Sequence, residues 1–203
     1  MGEDPAVDQS KRATLRRFAA LGAASPLVGI ASARESNSDR PEALLGYLSA
    51  TPGAHFSKIR DDLQLGTGET QHHLDELESA GAIESRKDGD YRRYFPASQF
   101  SEFEQVALGQ LRRETPRGVI IALLETPEAT TGTIAERVGV SRPTVSNCAK
   151  TLESAGLLSR TDGYSLVDPE TVLLLLVRYA DSFGEAAAAF AEQAPSLVEY
   201  TGE

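Results

Sequence analysis

The sequence predicts a mainly α protein with small β-hairpins: two tandem copies of a three-helix unit, each closed by a two-stranded ribbon, and then a long C-terminal helix. Three observations carry this prediction. Leu77-Glu78-Ser79-Ala80-Gly81 recurs 75 residues later as Leu152-Glu153-Ser154-Ala155-Gly156. Apolar residues within each copy fall at helical spacing. After each repeated glycine comes a short β-prone run broken by Asp-Gly, a hairpin turn signal.

The repeat register is gapless. It pairs Pro41 with Pro116, Leu48 with Leu123, Thr51-Pro52 with Thr126-Pro127, Ile59 with Ile134 and Asp61 with Glu136. Self-similarity at a fixed period marks a repeated structural unit. In each copy the Pro opens a first helix, through Ala43, Leu44, Leu45 and Leu48 or through Val119, Ile120, Leu123 and Leu124. Thr-Pro stops it, because the residue before a proline avoids the helical region. A second short helix carries Ile59 and Leu63, or Ile134, Ala135 and Val138. The third has its apolar stripe at Val145, Cys148, Ala149 and Leu152, matched by Thr70, His73, Leu74 and Leu77. Gly81 and Gly156 cap its end. The hairpins follow at residues 83–95, around Asp88-Gly89, and 157–167, around Asp162-Gly163.

Three helices and a ribbon make the winged helix-turn-helix plan. The expected organisation is an N-terminal segment and linker at 1–39, unit one at 40–97, a connecting helix at 98–114, unit two at 115–168, and a C-terminal helix and tail at 169–203. The connecting helix shows Phe103, Val106, Ala107 and Leu111 on one face. The C-terminal stretch opens at Pro169 and runs past Ala186 to Ala191; its aliphatic part is too short to span a bilayer. Such an apolar helix either covers the second unit or pairs with its mate in a homodimer, and the homodimer is the expected partner arrangement.

The N-terminal segment is ambiguous. Lys11, Arg12, Arg16 and Arg17 precede uncharged residues 18–33 ending Ala31-Ser32-Ala33, in the manner of a secretory or twin-arginine signal. A small docked helix is the competing and preferred reading, so the expected location is cytoplasmic, with export or a membrane tether the minority reading.

Composition bounds the chemistry. The 203 residues carry a formal net charge of −10, from 16 Arg and 4 Lys against 11 Asp and 19 Glu. That total opposes approach to a polyanion, so local charge matters more than the sum. A single Cys excludes an intramolecular disulfide and a cysteine-rich zinc site. No phosphate loop, G-x-S-x-G elbow or H-E-x-x-H occurs, and Cys148 has no His spaced to activate it. The sequence predicts no catalytic residue, cofactor or metal centre, and hence no enzyme. His72 and His73 are adjacent on a helix and point about 100° apart, so the two do not chelate as an i, i+4 pair does. His73 aligns with Cys148 and is expected in the core.

The second copy spells its motif well: Ile134-Ala135, Val138-Gly139-Val140, then Ser141-Arg142-Pro143-Thr144-Val145. Over residues 116–168 it resembles the MarR, ArsR and TrmB-like regulators. The Gln71-His72-His73-Leu74 segment, the Tyr-Arg-Arg-Tyr-Phe-Pro strand and the acidic, Lys-poor composition resemble tandem winged-helix regulators of halophilic archaea. The resemblance implies a sequence-specific transcriptional regulator of double-stranded DNA, its third helix in the major groove. Expected contacts on that helix are Arg142, Thr144, Ser146, Asn147 and Lys150. On the third helix of the first copy they are Thr67, Gln71 and His72, and on the wings Arg86, Lys87, Arg92, Arg93 and Arg160. The first copy departs from the pattern: Arg60 replaces the small residue, Gln64 the turn glycine, and carboxylates flank its third helix. The second copy is therefore expected to read bases and the first to grip the backbone with its basic wing. A protein-interaction adaptor is the alternative. An effector pocket between the C-terminal helix and the wings is open, with no residues identifying a ligand.

Overall fold

Every helix of the first copy has its counterpart 75 residues on, with the same limits, in the computed structural model, which describes residues 39–194. The first helices are α1 (Asp39–Ala50) and α5 (Glu114–Glu125), and the second are α2 (Phe56–Leu63) and α6 (Thr131–Val138). The third are α3 (Thr67–Ser79) and α7 (Arg142–Ser154). Between the copies lies α4 (Glu102–Leu111). The expectations for residues 1–38 lie outside the described residues.

Local chemistry explains the boundaries. Ser141 begins α7 by accepting from the Thr144 amide at 3.2 Å, and Thr130 does the same for α6 from Thr133 at 3.2 Å. Ser101 and Glu104 close a reciprocal capping box on α4. The turn from α6 to α7 needs a left-handed residue, and Gly139 supplies it at φ 72°. Gln64 occupies the same left-handed region at φ 54° and ends α2 equivalently. Gly81 and Gly156 lie one residue beyond the caps Ala80 and Ala155, also at positive φ.

The ribbons differ. In the first copy β2 (Ile83–Asp88) pairs antiparallel with β3 (Tyr91–Pro96), and β3 also pairs with β1 (Ala54–His55), giving the order β1-β3-β2. The third strand was not expected from the sequence. In the second copy only β4 (Leu158–Ser159) and β5 (Ser165–Leu166) pair.

The C-terminal stretch is not one long helix. It divides into α8 (Pro169–Arg178), α9 (Ala180–Phe183) and α10 (Glu185–Gln193). The break falls at Tyr179 and at Gly184, whose φ of 105° and extended ψ are open to glycine alone. The folded-back helices bury Val172, Leu176, Phe183, Ala187 and Phe190 in one core with Leu108 and Leu111 of α4 and Val119 and Ile120 of α5. Each fully buried Leu or Phe contributes roughly 1.5–3 kcal/mol. No described helix is long and apolar enough to cross a membrane.

Arg112 ties these parts together. Its Nε and Nη2 donate to the Pro52 carbonyl at 3.0 and 2.7 Å, and its Nη1 donates to the Ser182 carbonyl at 2.7 Å. The guanidinium also stacks 4.4 Å above the Phe183 ring. One side chain thereby links the first copy, the α4–α5 junction and the C-terminal helices, and burial holds its pKa well below the usual guanidinium range.

Candidate nucleic-acid interface

Helix α7 turns Val145, Cys148, Ala149 and Leu152 into the core, at the spacing of one helical face. The opposite face is open: Arg142, Thr144, Asn147 and Lys150 are exposed, and Ser146 is half-buried. Nothing among the described residues covers that face. Among the described residues Arg142 and Lys150 form no ion pair, and the Asn147 side-chain amide makes no hydrogen bond. Thr144 is committed in part, since its hydroxyl lies 2.8 Å from the Ser141 hydroxyl. The helix carries Arg142 and Lys150 against the single carboxylate of Glu153, which accepts from Arg160 at 2.8 Å.

Helix α3 presents the opposite character on the same backbone. It carries Glu69, Asp75, Glu76 and Glu78 and no Lys or Arg. Thr67, Gln71 and His72 are exposed as expected, but the Gln71 amide donates to Asp75 Oδ1 at 2.8 Å. His73 is buried at 2% exposure, matching Cys148 of the other copy.

The basic wing of the first copy is largely neutralised by its own fold. Arg93, expected at a DNA backbone, is 2% exposed and corrects that expectation. Its Nε donates to Asp88 and its Nη1 to the Gly53 carbonyl at 3.0 Å. Asp88 also accepts from Arg113 at 2.8 Å. Burial lowers the Arg93 pKa, and Asp88 partly restores it. Arg92 lies on Glu78, both carboxylate oxygens at 3.0 Å, and donates to Ser85 at 2.7 Å. Arg86 donates to Glu102 at 3.0 Å. Of the four expected cations only Lys87 is exposed without an ion pair among the described residues.

The ribbon packs closely against Gly109 of α4. A β-carbon there would meet Asp88 Oδ2 at 3.2 Å and Arg93 Cδ at 3.3 Å, so a side chain at this position would press on the Asp88–Arg93 pair. The pairs of Arg86, Arg92 and Arg113 join partners 14 to 25 residues apart, beyond any local pattern, whereas Arg93 and Asp88 are 5 apart across the hairpin.

Cys148 is buried, and desolvation pushes its thiol up to about 11, which removes it from nucleophilic chemistry at neutral pH. Comparison with known proteins agrees with the two-copy architecture. Residues 38–108 match a family described as an N-terminal HTH domain, and residues 112–159 match one described as winged helix-turn-helix DNA-binding. The chain is 28% identical over 130 residues to an uncharacterized HTH-type transcriptional regulator of Methanocaldococcus jannaschii, covering 64% of this chain. It spans 32% of that relative's length. No solved structure matches at a significant level.

Proposed function

We propose that this chain, which carries two tandem helix-turn-helix domains, is a sequence-specific double-stranded DNA-binding regulator of transcription in which α7 reads the bases. The observation that carries the reading is the uncovered face of α7, where Arg142, Asn147 and Lys150 stand exposed and unpaired at the start and middle of a capped helix. Arg suits guanine O6 and N7 and Asn suits adenine N6 and N7, each pairing worth about 1–3 kcal/mol of discrimination. Ser146, Thr144 and the helix N-terminus suit phosphates. Thr67, Gln71 and His72 of α3, with Lys87, Arg86, Arg92 and Arg160 at the wings, form a secondary rim of weaker, backbone-directed contacts. The activity is binding, without catalysis, and belongs in the compartment that holds the genome.

The working unit of this reading is a homodimer. Once α8 has buried Val172, Leu175 and Leu176, it still shows Leu174 at 70% and Val177 at 38% exposure, close in sequence to Val167 at 58%. Adjacent apolar side chains left in water favour a mate. Leu174→Glu with Val177→Glu should leave a folded monomer by analytical ultracentrifugation, whereas an unchanged mass would remove this surface from the dimer.

Gel-shift titration against genomic fragments at several salt concentrations tests the DNA reading. A minority of fragments should bind tightly, with a preference that survives competitor DNA. Weak binding, blind to sequence and abolished by moderate salt, would mark an interaction adaptor instead.

A further inference from the structure

The third helix of the first copy holds one cluster of which the DNA reading uses only His72: His72, His73 and Glu76. One ligand atom of each lies within 4.8 Å of the other two. Adjacent histidines alone diverge, but Glu76 is i+4 from His72 and i+3 from His73, the two spacings that share a helix face.

His73 is the informative member. Its Nδ1 is buried with no hydrogen-bond partner, and Glu76 Oε2 lies 3.6 Å from it. If that nitrogen is unprotonated, a lone pair faces a carboxylate, two acceptors with nothing between them. If it carries the proton, 3.6 Å is too long for it to donate. A cation between the two satisfies both. Donors of a tetrahedral zinc-class ion, with bonds of about 2.0–2.1 Å, stand roughly 3.4 Å from one another, close to the 3.6 Å between His73 Nδ1 and Glu76 Oε2. His72 and Glu76 are exposed, so their side chains turn without disturbing the core. Two imidazoles and one carboxylate suit zinc, nickel or cobalt over magnesium or calcium, and three protein ligands leave a fourth position for water.

We infer that His72, His73 and Glu76 form a binding site for one divalent transition-metal ion at the edge of the buried face of α3. The second copy lacks it: Asn147, Cys148 and Thr151 occupy the equivalent positions, 75 residues on. An ion there adds two positive charges to a helix that otherwise carries four carboxylates and no Lys or Arg.

The chain's small stock of donors makes the test clean. Besides this pair it has one other His and one Cys. His55 caps α2, accepting from the Lys58 amide at 3.3 Å, and Cys148 is buried in the other copy. Full-length protein without a polyhistidine tag is stripped with chelator and titrated with cobalt(II), following its visible ligand-field bands, then with zinc(II) as competitor. One cobalt per chain should bind, with band intensity of a four-coordinate site, and zinc but not magnesium should displace it. His72→Gln and Glu76→Gln, both at exposed positions, should each weaken binding at least tenfold while circular dichroism stays unchanged. His55→Gln should leave affinity as it is. Absence of saturable one-to-one binding overturns the site, as does full affinity in both variants. None of these readouts involves DNA, so the site stands or falls apart from the regulator reading.

Discussion

The helices of the two copies share their limits to the residue, yet α3 and α7 offer opposite surfaces. Among the described residues α7 has two unpaired cations, an uncommitted Asn and one carboxylate already engaged by Arg160. α3 has four carboxylates, a Gln folded onto Asp75 and two histidines. The difference teaches that the fold is specified by inward positions while the role of each copy is decided by outward ones, and these vary independently. Val145, Cys148, Ala149 and Leu152 are answered by Thr70, His73, Leu74 and Leu77, and both sets fill a core. Nothing comparable constrains the solvent side.

The largest effect that tests this contrast lies on α7. Arg142→Ala combined with Asn147→Ala should lower affinity for a preferred DNA fragment at least about thirtyfold, from about 1–3 kcal/mol per lost base pairing. Gln71→Ala combined with His72→Ala should change it less than threefold. Equal losses in the two double variants, measured by fluorescence anisotropy, would dissolve the asymmetry.

Next comes the contrast between two neighbouring arginines on the first wing. Arg93→Ala leaves Asp88 without its buried partner and the Gly53 carbonyl unbonded, at a cost of about 3 kcal/mol in stability. Arg92→Ala removes a more exposed pair and should cost under about 1 kcal/mol. Urea denaturation separates them. A small effect at Arg93 would mean that the ribbon is not anchored to α4, and would return that cation to the DNA-binding surface.

The inward pair His73 and Cys148 offers a chemical readout. With its thiol pushed up to about 11, Cys148 should react with a maleimide at pH 8 roughly a hundredfold more slowly than an unperturbed thiol, and at the normal rate once unfolded. The linkage has a definite sign. The folded-state pKa is raised, so the thiol's contribution to stability is complete below the unfolded value near 9 and is lost as pH rises toward 11. Rapid labelling of native protein would show that α7 leaves its core face readily.

Much of this architecture was legible in one chain because a repeat supplies its own alignment. The offset seen in Leu-Glu-Ser-Ala-Gly is the offset of every helix limit in both copies. What stayed hidden depends on distant partners or on single dihedrals. Strand β1 is two residues long and exists only because β3 has a free edge beside it. The bend at Gly184 sits inside an alanine-rich run that reads as continuous helix. The wing of the first copy reads as a basic patch until Glu78, Asp88 and Glu102 are seen folded onto it. Charge along a sequence counts cations without their counter-ions, and this overstated the wing.

The smallest effect is the most exact test of the shared backbone, because it exchanges one residue type between equivalent turns. Gln64 and Gly139 both hold the left-handed region, at φ 54° and 72°. A side chain there costs about 1–2 kcal/mol from crowding between its β-carbon and the following carbonyl. Glycine avoids that cost but loses more conformational freedom on folding. Gln64→Gly should therefore stabilise the first copy by up to about 1 kcal/mol. Gly139→Gln should destabilise the second by about 1–2 kcal/mol, and a β-carbon at Gly139 meets no atom within 4 Å, so the whole penalty is conformational. Opposite signs of similar size in thermal melts would establish that the two turns are one structure built from different residues. A loss on Gln64→Gly would mean that the Gln side chain supports its turn through contacts its counterpart never needed.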